Sequence, residues 1–284
     1  MTPTSAGVAH RSRSSFTAPA SMGLWVAIAI LAVLTVSPLA WMISTAFKQS
    51  GDVYHLSLIP DHPTIRNFIY VFTQVPFVRY IANSALVSVS VTVIALLLHS
   101  MAGYALARLR FPGRDLIFMG IFSTLLVSVP VILVPLFLVV KTLGMVDSYL
   151  GLIIPAIFNA FGIFFLRQFY INIPTELEDA AFVDGCGYWR VYWHLIVPVS
   201  RPLLGALAVF FFLANWNSFL WPLTITNSPQ LTVIQVGIAS FQSQYSAAWN
   251  YAMAASTVAA LPTLALFFLF QRKLTETVKV SGLR

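Results

Sequence analysis

Six runs of about 20 mostly apolar residues, each long enough to cross a bilayer as a helix, set the terms for this chain. They are Met22–Ser44, Ile81–Tyr104, Leu116–Val140, Leu150–Phe169, Leu203–Leu223 and Tyr251–Phe270. Inside lipid no water can satisfy a backbone N–H or C=O, so such runs must close their hydrogen bonds within themselves. The expectation is an all-α membrane protein with six transmembrane helices. Composition agrees: 9% of the residues are charged, against about 25% in soluble domains. Pro38, Pro130, Pro135, Pro155 and Pro262 fall inside the runs, where neighbouring helices can satisfy the freed carbonyls.

The basic residues give an orientation. With both termini in the cytoplasm, the inside holds Arg11, Arg13, Arg108, Arg110, Arg114, Arg167, Arg190, Arg201, Arg272, Lys273, Lys279 and Arg284, and the outside only Lys48, Arg66, Arg79 and Lys141. Twelve against four is the sense that the positive-inside rule requires. The net charge of +7 does not indicate a nucleic-acid partner, because the cations form short clusters between apolar runs instead of one basic patch. Arg11 and Arg13 precede an apolar run too long for a signal peptide, so that run reads as a retained first helix. Residues 1–20 are rich in Ser, Thr and Ala and read as a disordered cytoplasmic tail; residues 21–284 form the transmembrane domain. A single cysteine, Cys186, excludes an internal disulfide, and no Cys/His spacing suggests a metal.

Two connections stand out. Thr224–Asn250 has no charge and carries Phe241, Tyr245 and Trp249 among Gln, Ser, Thr and Asn. It suits either a neutral, hydroxyl-rich partner or simple packing on the bundle. Residues 170–200 contain Glu176, Glu178, Asp179, Asp184, Arg190 and His194; such charges at mid-bilayer would cost about 2.5–3.5 kcal/mol each, so the segment faces water. Thr175 with Glu178 three residues on reads as a capping box. Leu177, Ala180, Ala181 and Asp184 share a small-residued face, and Gly185 suits a left-handed C-cap. A second amphipathic run spans Tyr188–Val197, and Pro198 and Pro202 lead into the fifth apolar run. Helix, glycine turn and short helix make either a docking element or a simple tie between two spans.

The stretch Ile173-Pro174-Thr175-Glu176-Leu177-Glu178-Asp179-Ala180-Ala181-Phe182-Val183-Asp184-Gly185, followed by Pro198 and Pro202, resembles the EAA loop of binding-protein-dependent ABC importer permeases. Asp179 stands at the motif glutamate and Cys186 at the usual alanine. Asn83-Ser84, Tyr104-Ala105-Leu106-Ala107-Arg108-Leu109-Arg110-Phe111-Pro112-Gly113-Arg114, Leu143–Leu152 and Asn215–Pro222 resemble the carbohydrate-uptake, maltose-type subfamily in the same order. The tail Thr275–Arg284 departs from that subfamily's small-residue ending.

The resemblance implies a type I importer permease fold in the bacterial inner membrane. It implies a homologous second permease, two ATP-binding subunits, an extracytoplasmic sugar-binding protein or lipoprotein, and a sugar, oligosaccharide, polyol or glycerol-phosphate cargo. No G-x-x-x-x-G-K-[ST] phosphate loop occurs, so the chain is not itself expected to be an enzyme or to hold a cofactor; ATP and Mg would sit on the partner. Under the resemblance, Glu178, Asp179, Ala180, Ala181, Asp184, Gly185 and Pro198 couple to the ATPase. Asn215, Trp216 and Asn217 are candidate substrate-pathway residues, since amides bond sugar hydroxyls and aromatic rings pack on sugar C–H faces; Asn can equally bond a neighbouring helix, and Trp221 can anchor at an interface. His99, ionisable within an apolar run, raises the alternative of a secondary transporter with proton coupling. With no carboxylate partner in another run, a helix–helix hydrogen bond is the favoured reading.

Overall fold

The computed structural model describes residues 18–55, 57–243 and 248–281. Arg11, Arg13, Tyr245 and Arg284 lie outside them, as do residues 1–17 of the tail and the side chains of Arg272, Lys273 and Lys279. Among the described residues all regular structure is helical.

Helix α1 (Ala18–Ala46) begins before the expected apolar run. Its side chains from Met22 to Leu39 are exposed, and only its last turns pack, with Ser44, Thr45 and Ala46 buried. A bare apolar helix of this length is untenable in water and ordinary in lipid. Helix α2 (Arg66–Thr73) lies in the following loop and buries Asn67 and Val71.

Helix α3 (Phe77–Arg108) is the centre of the bundle. Its buried residues recur at three and four positions, through Val87, Ser88, Val91, Thr92, Ala95, His99, Ser100 and Gly103, which is one face of an α-helix. Many are small, as expected where helices in lipid gain by close approach. At Gly103 an added Cβ would stand 3.0 Å from the Leu166 Cβ.

The third apolar run is not one straight helix. Helix α4 (Arg114–Ser123) passes through a 3-10 turn (Thr124–Leu126) and meets α5 (Val129–Thr142) at 110°. Val127 and Ser128 are extended, and Pro130 sits in the first turn of α5, where its missing N–H costs nothing. The fourth run is broken more gently. Helix α6 (Tyr149–Ile157) ends, Asn159 caps α7 (Ala160–Ile171) by accepting from Phe161 N–H at 2.8 Å, and Tyr149–Ile171 is still long enough to span.

Beyond α8 (Thr175–Val183) come α9 (Tyr188–Val191), a π-helical turn (Tyr192–Ile196) and α10 (Val197–Val199). Helix α11 (Arg201–Trp216) then departs at 76°. The expected fifth span, Leu203–Leu223, stops at Trp216; residues 217–219 break it before α12 (Leu220–Ile225). Helices α13 (Ile234–Ser243) and α14 (Trp249–Ser281) complete the chain. Among the described residues four helical stretches are long and apolar enough to span, and six if each bent pair counts as one span.

Among the described residues the uncharged connection 224–250 is packed, not free. Asn83 of α3 donates to the carbonyls of Gln230 and Thr232 at 2.9 and 2.8 Å, Ser84 accepts from Ile234 N–H at 2.8 Å, and Phe241 is fully buried. Asp147 adopts the left-handed conformation at φ 53° and accepts from the N–H groups of Asn227 and Ser228, both at 2.9 Å, and from the Ser228 hydroxyl. Asn67 donates to the carbonyls of Ala46 and Lys48 and accepts from Asn250, each at 2.8 Å.

Candidate functional site

At the opposite end of the bundle, α8 and α9 form a short projecting element. Its turn is built as the sequence suggests. Gly185 takes φ +79°, Cys186 N–H donates to Ala181 O at 2.9 Å, and Gly185 N–H to Phe182 O at 3.0 Å. That is the paired arrangement that closes a helix on a left-handed glycine.

The start differs from expectation. Pro174, not Thr175, is the N-terminal flanking residue, and no side chain caps the helix. Glu178 is therefore not a box partner. It turns inward, 6% exposed, and sets Oε1 2.8 Å from Arg108 Nε on α3. The contact lacks hydrogen-bond alignment, so its strength is ionic. The Tyr104 hydroxyl donates to Oε2 at 3.4 Å, and Arg108 also donates to the Ile173 carbonyl. Burial pushes the Glu178 carboxyl above its usual range, the Arg108 guanidinium and Tyr104 hydroxyl pull it back, and Asp179 adds repulsion.

The other named residues part company with Glu178. Asp179, Ala180, Asp184 and Gly185 are exposed, while Ala181 and Pro198 are half-buried. Leu177 and Val183, the latter 87% exposed, stand beside the two aspartates. The outward surface of α8 is thus apolar and acidic at once. Behind it lies a hydroxyl network: Tyr192 donates to Ser100 at 2.8 Å, and Ser100 meets the Tyr170 hydroxyl at 2.7 Å. The Tyr104 ring packs on both tyrosines. Sequence reasoning placed Arg108 on this side but missed its pairing with Glu178, the Tyr104 bond to the same carboxylate, and the network of Ser100, Tyr170 and Tyr192; the signal was an ionisable or hydroxyl side chain on the buried face of an otherwise apolar helix.

The pathway candidates do not form one cluster. Trp216 is 2% exposed and donates to the Ala259 carbonyl of α14 at 3.0 Å, a helix–helix tie. Asn215, half-buried, bonds back to Phe211 O at 2.8 Å. Asn217 is exposed, bonds Leu213 O at 2.9 Å and accepts from Gln235 at 3.2 Å. Trp221 is buried and donates to Gly151 O at 3.0 Å, so it is no interfacial anchor. His99 accepts from Asn159 N–H at 3.4 Å, at the α6–α7 break, and lies edge-on to Phe211. It serves as a helix–helix tie, and no metal-type cluster of His, Cys, Asp or Glu occurs among the described residues.

The described residues thus form a helical bundle with bent spans and a glycine-capped helical element at one end. The chain belongs to the family described as binding-protein-dependent transport system inner membrane component, whose model matches residues 99–280. It is a multi-pass protein of the bacterial inner membrane and a permease of the ABC importer class. It is 33% identical over 92% of its length, and 95% of the relative, to the arabinooligosaccharides transport system permease protein AraQ of Halalkalibacterium halodurans. It is 32% identical over 89% of its length, and 85% of the relative, to the diacetylchitobiose uptake system permease protein NgcG of Streptomyces coelicolor. An sn-glycerol-3-phosphate transport system permease protein of Yersinia enterocolitica matches at 35% over 76% of this chain and 80% of its own. Among solved structures, a bacterial ABC transporter involved in alginate import superposes with TM-score 0.80 over 93% of this chain and 99% of that chain, at 20% identity; this supports the fold.

Proposed function

We propose that this chain is one of two permease subunits of an ATP-driven importer for a sugar or related carbohydrate, with both termini in the cytoplasm. The observation that carries the reading is the projecting α8–Gly185–α9 element: a stiffly closed helix with an apolar and acidic outer surface. Leu177, Asp179, Ala180, Val183 and Asp184 dock in a cleft of a separate ATP-binding subunit, while Gly185 fixes the turn and Pro198 the entry into α11. ATP and Mg sit on that subunit, which supplies the energy. The homologous permease and an extracytoplasmic sugar-binding protein complete the assembly. The exposed length of α1 supports a need for a partner chain or lipid along it. Relatives named for neutral oligosaccharides support a carbohydrate cargo; Asn217, which is exposed, and Asn215, which is half-buried, remain suited to hydroxyl contacts.

The test is co-purification of the tagged full chain from its own membranes in mild detergent. The expected companions are a second permease and a subunit with a phosphate loop, together with ATP-dependent uptake of a labelled oligosaccharide in vesicles. A chain recovered alone that moves solute without ATP would contradict the reading.

A further inference from the structure

Helix α8 is attached to the bundle in an unusual way. Glu178 is its single buried side chain, so the deepest group that holds the helix is a charge. The connections on either side are short and bonded: Ile173, before it, is buried and its carbonyl accepts from Arg108, while after it the Gly185 and Cys186 N–H groups bond back to Phe182 and Ala181. Ala181 and Phe182 lie half-buried against the core edge. Movement of the helix therefore reaches the bundle through these short connections and through its side-chain contacts. The deepest of these is Glu178 to Arg108 at 2.8 Å, 10% and 7% exposed at the two side chains. Arg108 is the last residue of α3, the helix at the centre of the bundle. Arg108 also holds the Ile173 carbonyl, just before α8, and the Ser100–Tyr170–Tyr192 network ties that end of α3 to α7 and to the π-helical turn.

We infer that Arg108 and Glu178 are the positioning pair that transmits movement from the docking element to α3. This rests on the docking role proposed above: Glu178, which the resemblance would set at the ATPase, is an internal anchor and does not touch it. Asp179, next in sequence and exposed, remains on the docking side. An ionic anchor suits the task, because a buried pair is directional and leaves a costly unpaired charge if the helix shifts away. The helix and its span therefore move as one body.

The experiment uses the full importer complex with Cys186→Ser as background. Spin labels are placed at Glu176→Cys on α8 and Leu97→Cys on α3, both exposed positions; a second pair joins Glu176→Cys to Ile59→Cys in the loop at the far end. Distances are read with and without Mg-ATP plus vanadate. The α8–α3 distance should hold while the α8–far-end distance shifts. Glu178→Gln should still co-purify with the ATP-binding subunit, yet its α8–α3 distance should spread into more than one population on adding nucleotide. Arg108→Glu with Glu178→Arg should restore the single distance. If the reversed pair does not insert, Arg108→Gln with Glu178→Gln replaces it and should behave as the single variant does. A nucleotide-dependent α8–α3 shift in the parent, or a Glu178→Gln variant with an unchanged single distance, overturns the inference. Loss of the ATP-binding subunit on Glu178→Gln would return Glu178 to the docking surface. Failure of the parent to bind any ATP-binding subunit would instead sink the function proposed above.

Discussion

The two ends of the bundle are held by different physics. At the far end, neutral amides and hydroxyls bond directly to backbone groups: Asn83 to the Gln230 and Thr232 carbonyls, Asn67 to those of Ala46 and Lys48, Ser84 to Ile234 N–H. At the α8 end lie all three ion pairs found among the described residues, Arg108–Glu178, Arg114–Asp115 and Arg167–Asp115. Backbone-directed hydrogen bonds fix a loop in one geometry. Arg108–Glu178 and Arg167–Asp115 join side chains on separate elements, whereas Arg114–Asp115 lies within α4. The far end is built to keep its shape, and the α8 end to carry load.

The largest effect is expected at Gly185. Proline holds φ near −65° and cannot take the +79° found there, and it removes the N–H that bonds Phe182 O. Gly185→Pro should insert in the membrane at normal levels and abolish ATP-dependent uptake; normal uptake would count against a docking role. Next comes Asn83→Leu. It strands two loop carbonyls, at about 1–3 kcal/mol for each one left unsatisfied, so the purified protein should melt at lower temperature while still binding its ATPase. An unchanged Tm would mean that the 224–250 loop is held elsewhere.

Gly162→Ala is expected to be intermediate. Its Cβ would lie 2.5 Å from His99 Nδ1 and 2.6 Å from the Phe211 ring, and overpacking of this kind costs about 1–3 kcal/mol. A lower Tm, with the α8 end unaffected, is the expected outcome. The smallest effect concerns Asp147, whose carboxyl is held below its usual value by the Ser228 hydroxyl and the Ser228 and Asn227 N–H groups. A depressed folded pKa stabilises above the unfolded value near 3.8 and is lost as pH falls through the lower folded value. Asp147→Asn should therefore weaken hydrogen-exchange protection of the Asn227 and Ser228 amides at neutral pH and should flatten the acid dependence seen in the parent.

The sequence made some of this legible and hid the rest for physical reasons. Apolar run length located the spans, because lipid forces helices wherever such runs occur. It could not locate the break at Val127-Ser128 or at Asn217, since these follow from local backbone choices inside apolar segments. Gly185 was readable because a left-handed cap all but demands glycine. Glu178 was misjudged: its spacing from Thr175 fits a capping box, but Pro174 occupies the flanking position and Arg108, 70 residues earlier, offers a stronger partner. Long-range pairing leaves no local signature. Trp216 and Trp221 were misleading for the same reason, each being tied to a carbonyl on a distant helix.

Transport as proposed here depends on the outer surface of α8 docking on a separate ATPase. A photo-crosslinking amino acid at Val183, 87% exposed, tests it most directly in intact membranes. A crosslink to an ATP-binding subunit is expected, lost when the probe sits at Ile59 at the far end. Crosslinks from Val183 to lipid or to a second permease alone would contradict it.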